Sequence, residues 1–152
     1  FTIYLPLVEG APPVASQVVS HEPPQDGRGE LVLVAEDDEA ILELARDGLE
    51  TLGYRVLVAT DGAGAMAAME RHRDGVVLIL SDMVMPEVGG VELARRVREA
   101  GLCPRVVLMT GYPLEGDSGE LERLGVVACL RKPFTMAQLA GVVHDALSPS
   151  PD

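Results

Sequence analysis

Residues 30–148 predict an α/β fold: a doubly wound, five-stranded parallel sheet with helices on both faces. Two observations carry that expectation. Five short apolar runs alternate, in order, with five stretches whose apolar residues recur at helical spacing. The first and third runs, 31–35 and 76–80, are apolar throughout rather than alternately polar. Such strands belong to a parallel sheet covered on both sides, and right-handed crossovers then limit the topology to a doubly wound sheet.

The elements succeed one another without internal repeats. Residues 31–35 (Leu-Val-Leu-Val-Ala) form the first strand, and Ile41, Leu44, Ala45, Leu49 and Leu52 mark a helix that Gly53 ends. Residues 54–59 form a second strand whose charged Arg55 suits a sheet edge. Asp61 is positioned to cap a helix carrying Ala65, Met66 and Met69. After the 76–80 strand, Leu93, Ala94 and Val97 predict a helix with Glu92–Arg96 and Arg95–Glu99 pairs on its wet side. Residues 105–109 form the fourth strand. Residues 115–124 form a weak helix diluted by Gly116 and Gly119, and 126–130 the fifth strand. Thr135 and Gln138 make a capping box ahead of Leu139, Val142, Val143, Ala146 and Leu147.

Outside this block the texture changes. Residues 9–29 contain Gly10, Pro12, Pro13, Pro23, Pro24, Gly27 and Gly29, the composition of a linker that cannot bury enough to fold. Residues 1–8 are a short β-like run, expected to be the trailing strand of an upstream domain, and the last residues after Leu147 a frayed end. The chain is 47% hydrophobic with only 3% aromatic residues, so its core must be built from aliphatic side chains and methionine. A net charge of −12 argues against direct nucleic-acid binding, which depends on lysine and arginine neutralising phosphates, and leaves room for a divalent cation. Cys103 and Cys129 form no CxxC pair and read as two buried free thiols in a reducing cytoplasm. No apolar run is long enough to span a bilayer, so no membrane contact is expected from this segment. His21, His72 and His144 lie in settings that suggest neither metal binding nor catalysis and read as surface residues, and Met83, Met85 and Met109 as packing.

In doubly wound folds ligands bind beyond the carboxyl ends of the strands. The residues there are Glu36, Asp37 and Asp38 after the first strand, Asp82 after the third, Thr110 after the fourth and Lys132 after the fifth. With strands about 4.8 Å apart, Glu36, Asp37 and Asp82 crowd together if their strands are neighbours. Like charges so close destabilise the fold, and a hard dication held by oxygen ligands, Mg2+ foremost, removes the conflict. An aspartate becomes a competent nucleophile for phosphorus once a metal and an ammonium neutralise the incoming oxygens. Lys132 supplies the ammonium, Thr110 a hydroxyl donor, and Asp38 reads as a helix cap.

These motifs, Val34-Ala35-Glu36-Asp37-Asp38-Glu39, Asp82-Met83-Val84-Met85-Pro86 with Gly89-Gly90, Thr110-Gly111 and Lys132-Pro133-Phe134, resemble the receiver domain of bacterial two-component response regulators. The resemblance covers nearly all of 30–147. It implies a flavodoxin-like strand order 2-1-3-4-5 and Asp82 as the phosphoacceptor for a phosphoryl group from a histidine kinase or phosphotransfer domain. It implies Mg2+ bound by Asp37, Asp82 and the Val84 carbonyl, with Glu36 acting largely through water. Thr110 and Lys132 would contact the phosphoryl group, and the bond before Pro133 would be cis. The position three before the lysine is often aromatic in this family; here it is Cys129, which has no ring to move. The first residues resemble the closing strand of a histidine-kinase ATP-binding domain, so the chain is expected to be the C-terminal receiver of a hybrid sensor kinase. Two other functions compete. A haloacid-dehalogenase-like phosphatase would need a second acid where Val84 stands, and a non-phosphorylated pseudo-receiver would favour an incomplete acidic set.

Overall fold

A computed structural model describes residues 27–112 and 118–148 of the chain. The expected strand at 1–8 and nearly all of the 9–29 linker lie outside those residues. The described part begins tied down: the Gly27 N–H donates to the Leu52 carbonyl and that of Gly29 to Gly53, at 2.9 and 3.0 Å. Residues 27–29, the end of the expected linker, therefore dock on the turn after the first helix.

Five strands alternate with five helices: β1 Leu31–Ala35, α1 Glu39–Thr51, β2 Arg55–Ala59, α2 Gly62–Arg71, β3 Val76–Asp82, α3 Gly90–Glu99, β4 Arg105–Thr110, α4 Ser118–Arg123, β5 Val126–Arg131 and α5 Met136–Leu147. The sheet is parallel throughout, in the order β2-β1-β3-β4-β5. Arg55 thus lies on an edge strand, where its side chain is exposed.

The pleat sorts the strand residues into two apolar layers, since successive side chains face opposite ways. Leu33, Ile79 and Leu108 pack with Ala65 and Met69 of α2 and Leu93, Ala94 and Val97 of α3. Val32, Val34, Leu78, Leu80, Val107 and Met109 pack with Leu42, Ala45 and Leu49 of α1 and Leu139 and Val143 of α5. This two-sided burial is the reason for the uninterrupted apolar runs. Val77, near the start of β3, is an exception and remains partly exposed.

The helix ends are capped as their sequences demand. Asp38 accepts from the Ala40 and Ile41 N–H groups, Asp61 from Gly64, and Thr135 with Gln138 closes a reciprocal capping box. Gly53, at φ +92°, ends α1 in the left-handed region.

Four expectations need correction. β3, β4 and β5 run one or two residues further than the apolar pattern, so that Asp82, Thr110 and Arg131 close the strands rather than open the loops. The fourth helix ends at Arg123, one residue short of the expected 124, and its expected start at 115 lies outside the described residues. The Glu92–Arg96 pair is present at 3.0 Å, but Arg95 binds Glu92 at 2.7 Å and Glu120 of α4 at 2.9 Å instead of Glu99. A planar guanidinium can hold two carboxylates at once, and α4 supplies the second. Both cysteines are exposed rather than buried. Cys103 lies in the connection before β4. Cys129 sits on edge strand β5, where Val127, Cys129 and Arg131 are all exposed. Its thiol is nevertheless raised above the ordinary cysteine value by desolvation from the atoms packed beside it. His72 and His144 are both exposed, while Met85 and Met109 are buried in the two layers.

Candidate functional site

The carboxyl ends of β1, β3, β4 and β5 form one polar rim. β1 pairs with β3 through Ala35 and Ser81, which sets Glu36 and Asp82 side by side as the chain leaves the sheet. Asp82 in turn is the register partner of Met109, and Thr110 that of Arg131. A backbone bond from the Lys132 N–H to the Thr110 carbonyl, 2.8 Å, pins the last of these ends to its neighbour.

The acids converge. Glu36, Asp37 and Asp82 each offer a carboxylate oxygen within 4.8 Å of the others, Glu36 fully buried and Asp37 exposed. Lys132 Nζ sits between two of them, 2.6 Å from Glu36 Oε2 and 3.3 Å from Asp82 Oδ1. The contact to Glu36 is close but not aligned as a directed hydrogen bond, so Oε2 is held by charge. The other Glu36 oxygen accepts from the Asp38 N–H at 3.1 Å. Three clustered carboxylates against a single ammonium, which touches two of them, leave an excess of negative oxygens that suits a hard dication.

Burial raises the Glu36 carboxyl above its ordinary value. Lys132 and the Asp38 N–H pull it down, and the Asp82 charge pushes it up again. Burial alone would lower the Lys132 ammonium. The Glu36 carboxylate and then Asp82 outweigh it and hold the group above the ordinary lysine value.

The loop after β3 is built for close approach. An added Cβ on Gly90 would lie 2.5 Å from the Asp82 carbonyl and 2.8 Å from Leu108, so only glycine lets α3 start this near the strand end. Gly89 is similarly placed, 2.7 Å from the Met83 carbonyl. Between them and the site, Glu87 adopts φ +64°, a strained left-handed conformation for a side-chain-bearing residue. The Val84 N–H points to Asp82 Oδ1 at 3.4 Å, while the Val84 side chain is 71% exposed. The Lys132–Pro133 peptide bond is cis.

Thr110 is buried beside this cluster, but its hydroxyl is engaged elsewhere. Oγ1 donates to the Tyr112 carbonyl at 2.8 Å and accepts from the Tyr112 N–H at 3.1 Å. Two other roles were not evident in the sequence. Ser81, fully buried, donates to the Asp82 carbonyl at 3.0 Å, and the Tyr112 backbone holds the threonine hydroxyl. Thr110-Gly111 itself was a clue to the latter, because threonine before glycine is turn chemistry.

Comparison with known proteins agrees with this geometry. Residues 32–144 match the response regulator receiver domain, and the chain belongs to that family, the receiver domains of two-component systems. It is 34% identical to virulence sensor protein BvgS of Bordetella pertussis over 93% of its own length, and 32% identical to sensor kinase CckA of Brucella abortus over 97%. The chain spans only 12% and 16% of those two relatives. Among solved structures, chemotaxis protein CheY4 of Vibrio cholerae superposes with a TM-score of 0.72 at 26% identity, covering 78% of this chain and 99% of that one. A CheY-like receiver from Methanospirillum hungatei gives 0.68 at 25% identity, with 77% and 92% covered. No helix among the described residues is long and apolar enough to cross a membrane.

Proposed function

We propose that Asp82 accepts a phosphoryl group from a phosphohistidine with Mg2+ bound beside it. The observation that carries this reading is Lys132 Nζ lying between Glu36 and Asp82 while Asp37 completes a three-carboxylate cluster. Asp37, Asp82 and the Val84 carbonyl would hold the ion, with Glu36 bound mainly through water. The donor set fits because it is all oxygen and its crowded charge calls for a dication. When bound, Mg2+ would neutralise charge on the phosphoryl oxygens.

The chain's own groups do the rest. The Asp82 carboxylate attacks phosphorus, the new P–O bond forming as the P–N bond breaks and the electron pair leaves with the imidazole ring. Lys132 neutralises an equatorial oxygen, and Thr110 donates a hydrogen bond to another. The product stays on Asp82 as an acyl phosphate, so the domain acts as an acceptor rather than as an enzyme. A dehalogenase-like phosphatase is disfavoured by Val84, which puts an exposed aliphatic side chain where that chemistry requires an acid.

The donor is a histidine kinase or a phosphotransfer domain. Ile41, Leu44, Pro133 and Phe134 line an apolar hollow of about 280 Å³ next to Lys132, a fit for a helix that carries the phosphohistidine. Likeness to sensor kinases supports a hybrid sensor kinase as the parent protein, possessing a cytoplasmic receiver at 30–148, a linker at 9–29 and the end of a kinase ATP-binding domain at 1–8. The output is a contact or onward phosphotransfer, with no direct nucleic-acid ligand.

Intact-mass measurement with acetyl phosphate tests the central reading. One labile phosphoryl addition is expected in the presence of Mg2+. None is expected with EDTA or in Asp82→Asn. Addition in Asp82→Asn equal to wild type would refute the assignment.

A further inference from the structure

We propose that the cavity at the amino ends of β4 and β5 binds a small zwitterion, a free α-amino acid, with its carboxylate on Arg98 and its ammonium on Asp145. The cavity lies at the opposite edge of the sheet from Asp82, which closes β3 at its carboxyl end, and this second site does not depend on the phosphoacceptor.

The cavity measures about 550 Å³, a size that suits a small molecule. Charged groups of both signs line it: Arg98 of α3, Arg105 at the start of β4, Glu122 of α4 and Asp145 of α5. Arg98 is the unusual member. Its helix neighbours Arg95 and Arg96 are both paired with acids. The Arg98 side chain has neither an ion pair nor a hydrogen bond among the described residues, although it is only partly exposed and its Nε is fully buried. It lies over Gly125, where any side chain would strike the guanidinium. A buried N–H without an acceptor costs free energy, and a cation left in that state marks a place where a partner is wanted. Arg105 is held differently. Its Nη1 donates to the Ala146 carbonyl and, at 2.7 Å, to that of Ser148, which fixes the end of α5 against β4.

The acids share the cavity with the arginines but do not pair with them. Glu122 and Asp145 are exposed and form no salt bridge with any described residue. A simple anion on Arg98 would meet the charge of the two carboxylates, and a simple cation on Asp145 would meet that of the two guanidiniums. A ligand that carries both signs satisfies both sets at once. Its contacts, carboxylate to guanidinium and ammonium to carboxylate, are charge-assisted hydrogen bonds, the stronger kind. Val127 and Ala128 of β5 add an apolar surface to the same cavity, which suits an aliphatic side chain on the ligand.

The test is a thermal-shift titration of the full chain with each proteinogenic amino acid, with acetate, methylammonium and inorganic phosphate as controls that lack one of the two charges. At least one amino acid is expected to give a saturable rise in Tm of several degrees, and the controls none. Asp145→Asn and Arg98→Gln should each abolish the rise. Asp145 is exposed, so Asp145→Asn keeps the fold and decides the matter even where Arg98→Gln does not fold. Location is read from Cys103, an exposed thiol that lines the same cavity. In a Cys129→Ser background, the bound amino acid should slow alkylation of Cys103 by iodoacetamide in step with occupancy. No saturable rise with any amino acid would overturn the proposal. So would an equal rise with acetate or phosphate, the mark of a plain anion site, or a rise that persists in Asp145→Asn or leaves Cys103 alkylation unchanged.

Discussion

The two helices that flank the site from opposite sides are built very differently. α1 is 13 residues long, is capped by two bonds to Asp38, and sinks Leu42, Ala45 and Leu49 into the core. α4, over its described residues Ser118–Arg123, only partly buries Leu121 and is linked to α3 by the Arg95–Glu120 pair at 2.9 Å. Each is joined directly to site residues: Glu36 and Asp37 lead into α1, and Thr110 and Tyr112 lead toward α4. The side that presents the acids is therefore rigid, and the side that leaves Thr110 is lightly held. A site of this kind can keep its ligands in place while one neighbouring element responds, because local stability follows buried apolar contact.

The largest test of that contrast is in the core. Leu49→Ala should cost about 2–5 kcal/mol, whereas Leu121→Ala should cost no more than about 1.5 kcal/mol. Urea unfolding of both variants would check it, and equal losses would erase the distinction. Next is the pair that bridges the two sides. Lys132→Met leaves the buried Glu36 carboxylate without its cation and should destabilise by about 2 kcal/mol, less than a fully buried pair because the ammonium still meets water. In a Glu36→Gln background the same change should cost much less, so a double-mutant cycle reads the coupling directly.

The caps come third. Asp38→Ala removes the acceptor for two α1 N–H groups and should cost about 1 kcal/mol, seen as a fall in Tm, without disordering the strand before it. The smallest effect lies on the α3–α4 surface. Glu92 is held below its ordinary value by Arg96 and then by Arg95. A carboxyl depressed in the folded state contributes stability above its unfolded pKa and loses it as pH falls through the lower folded one. Stability of wild type should therefore decline more steeply with acid than that of Glu92→Gln, and only slightly, since these side chains are exposed. Parallel urea titrations at neutral and acid pH measure the difference, and added salt should shrink it.

Much of this molecule is legible in the linear chain. The two-sided apolar runs of β1 and β3 identify buried parallel strands, Asp61 and the Thr135–Gln138 box announce their helices, and the acids and lysine are grouped by their place after successive strands. What is illegible has common causes. Asp82, Thr110 and Arg131 are polar residues at strand ends, and periodicity alone cannot tell such positions from loops. The choice of Arg95 between Glu99 and Glu120 depends on where α4 lies, and the exposure of Cys129 depends on β5 being a sheet edge.

By itself, then, the order of residues determined which segments pair and bury, since hydrophobic periodicity is a local property written into each run, and it determined which charged groups the strands carry to one rim. Tertiary structure alone decided how those groups are shared: Lys132 between Glu36 and Asp82, Arg95 between two helices, and the Thr110 hydroxyl on the Tyr112 backbone. The physical reason is that a side chain chooses among partners by distance and desolvation, and those quantities exist only once the layers have packed.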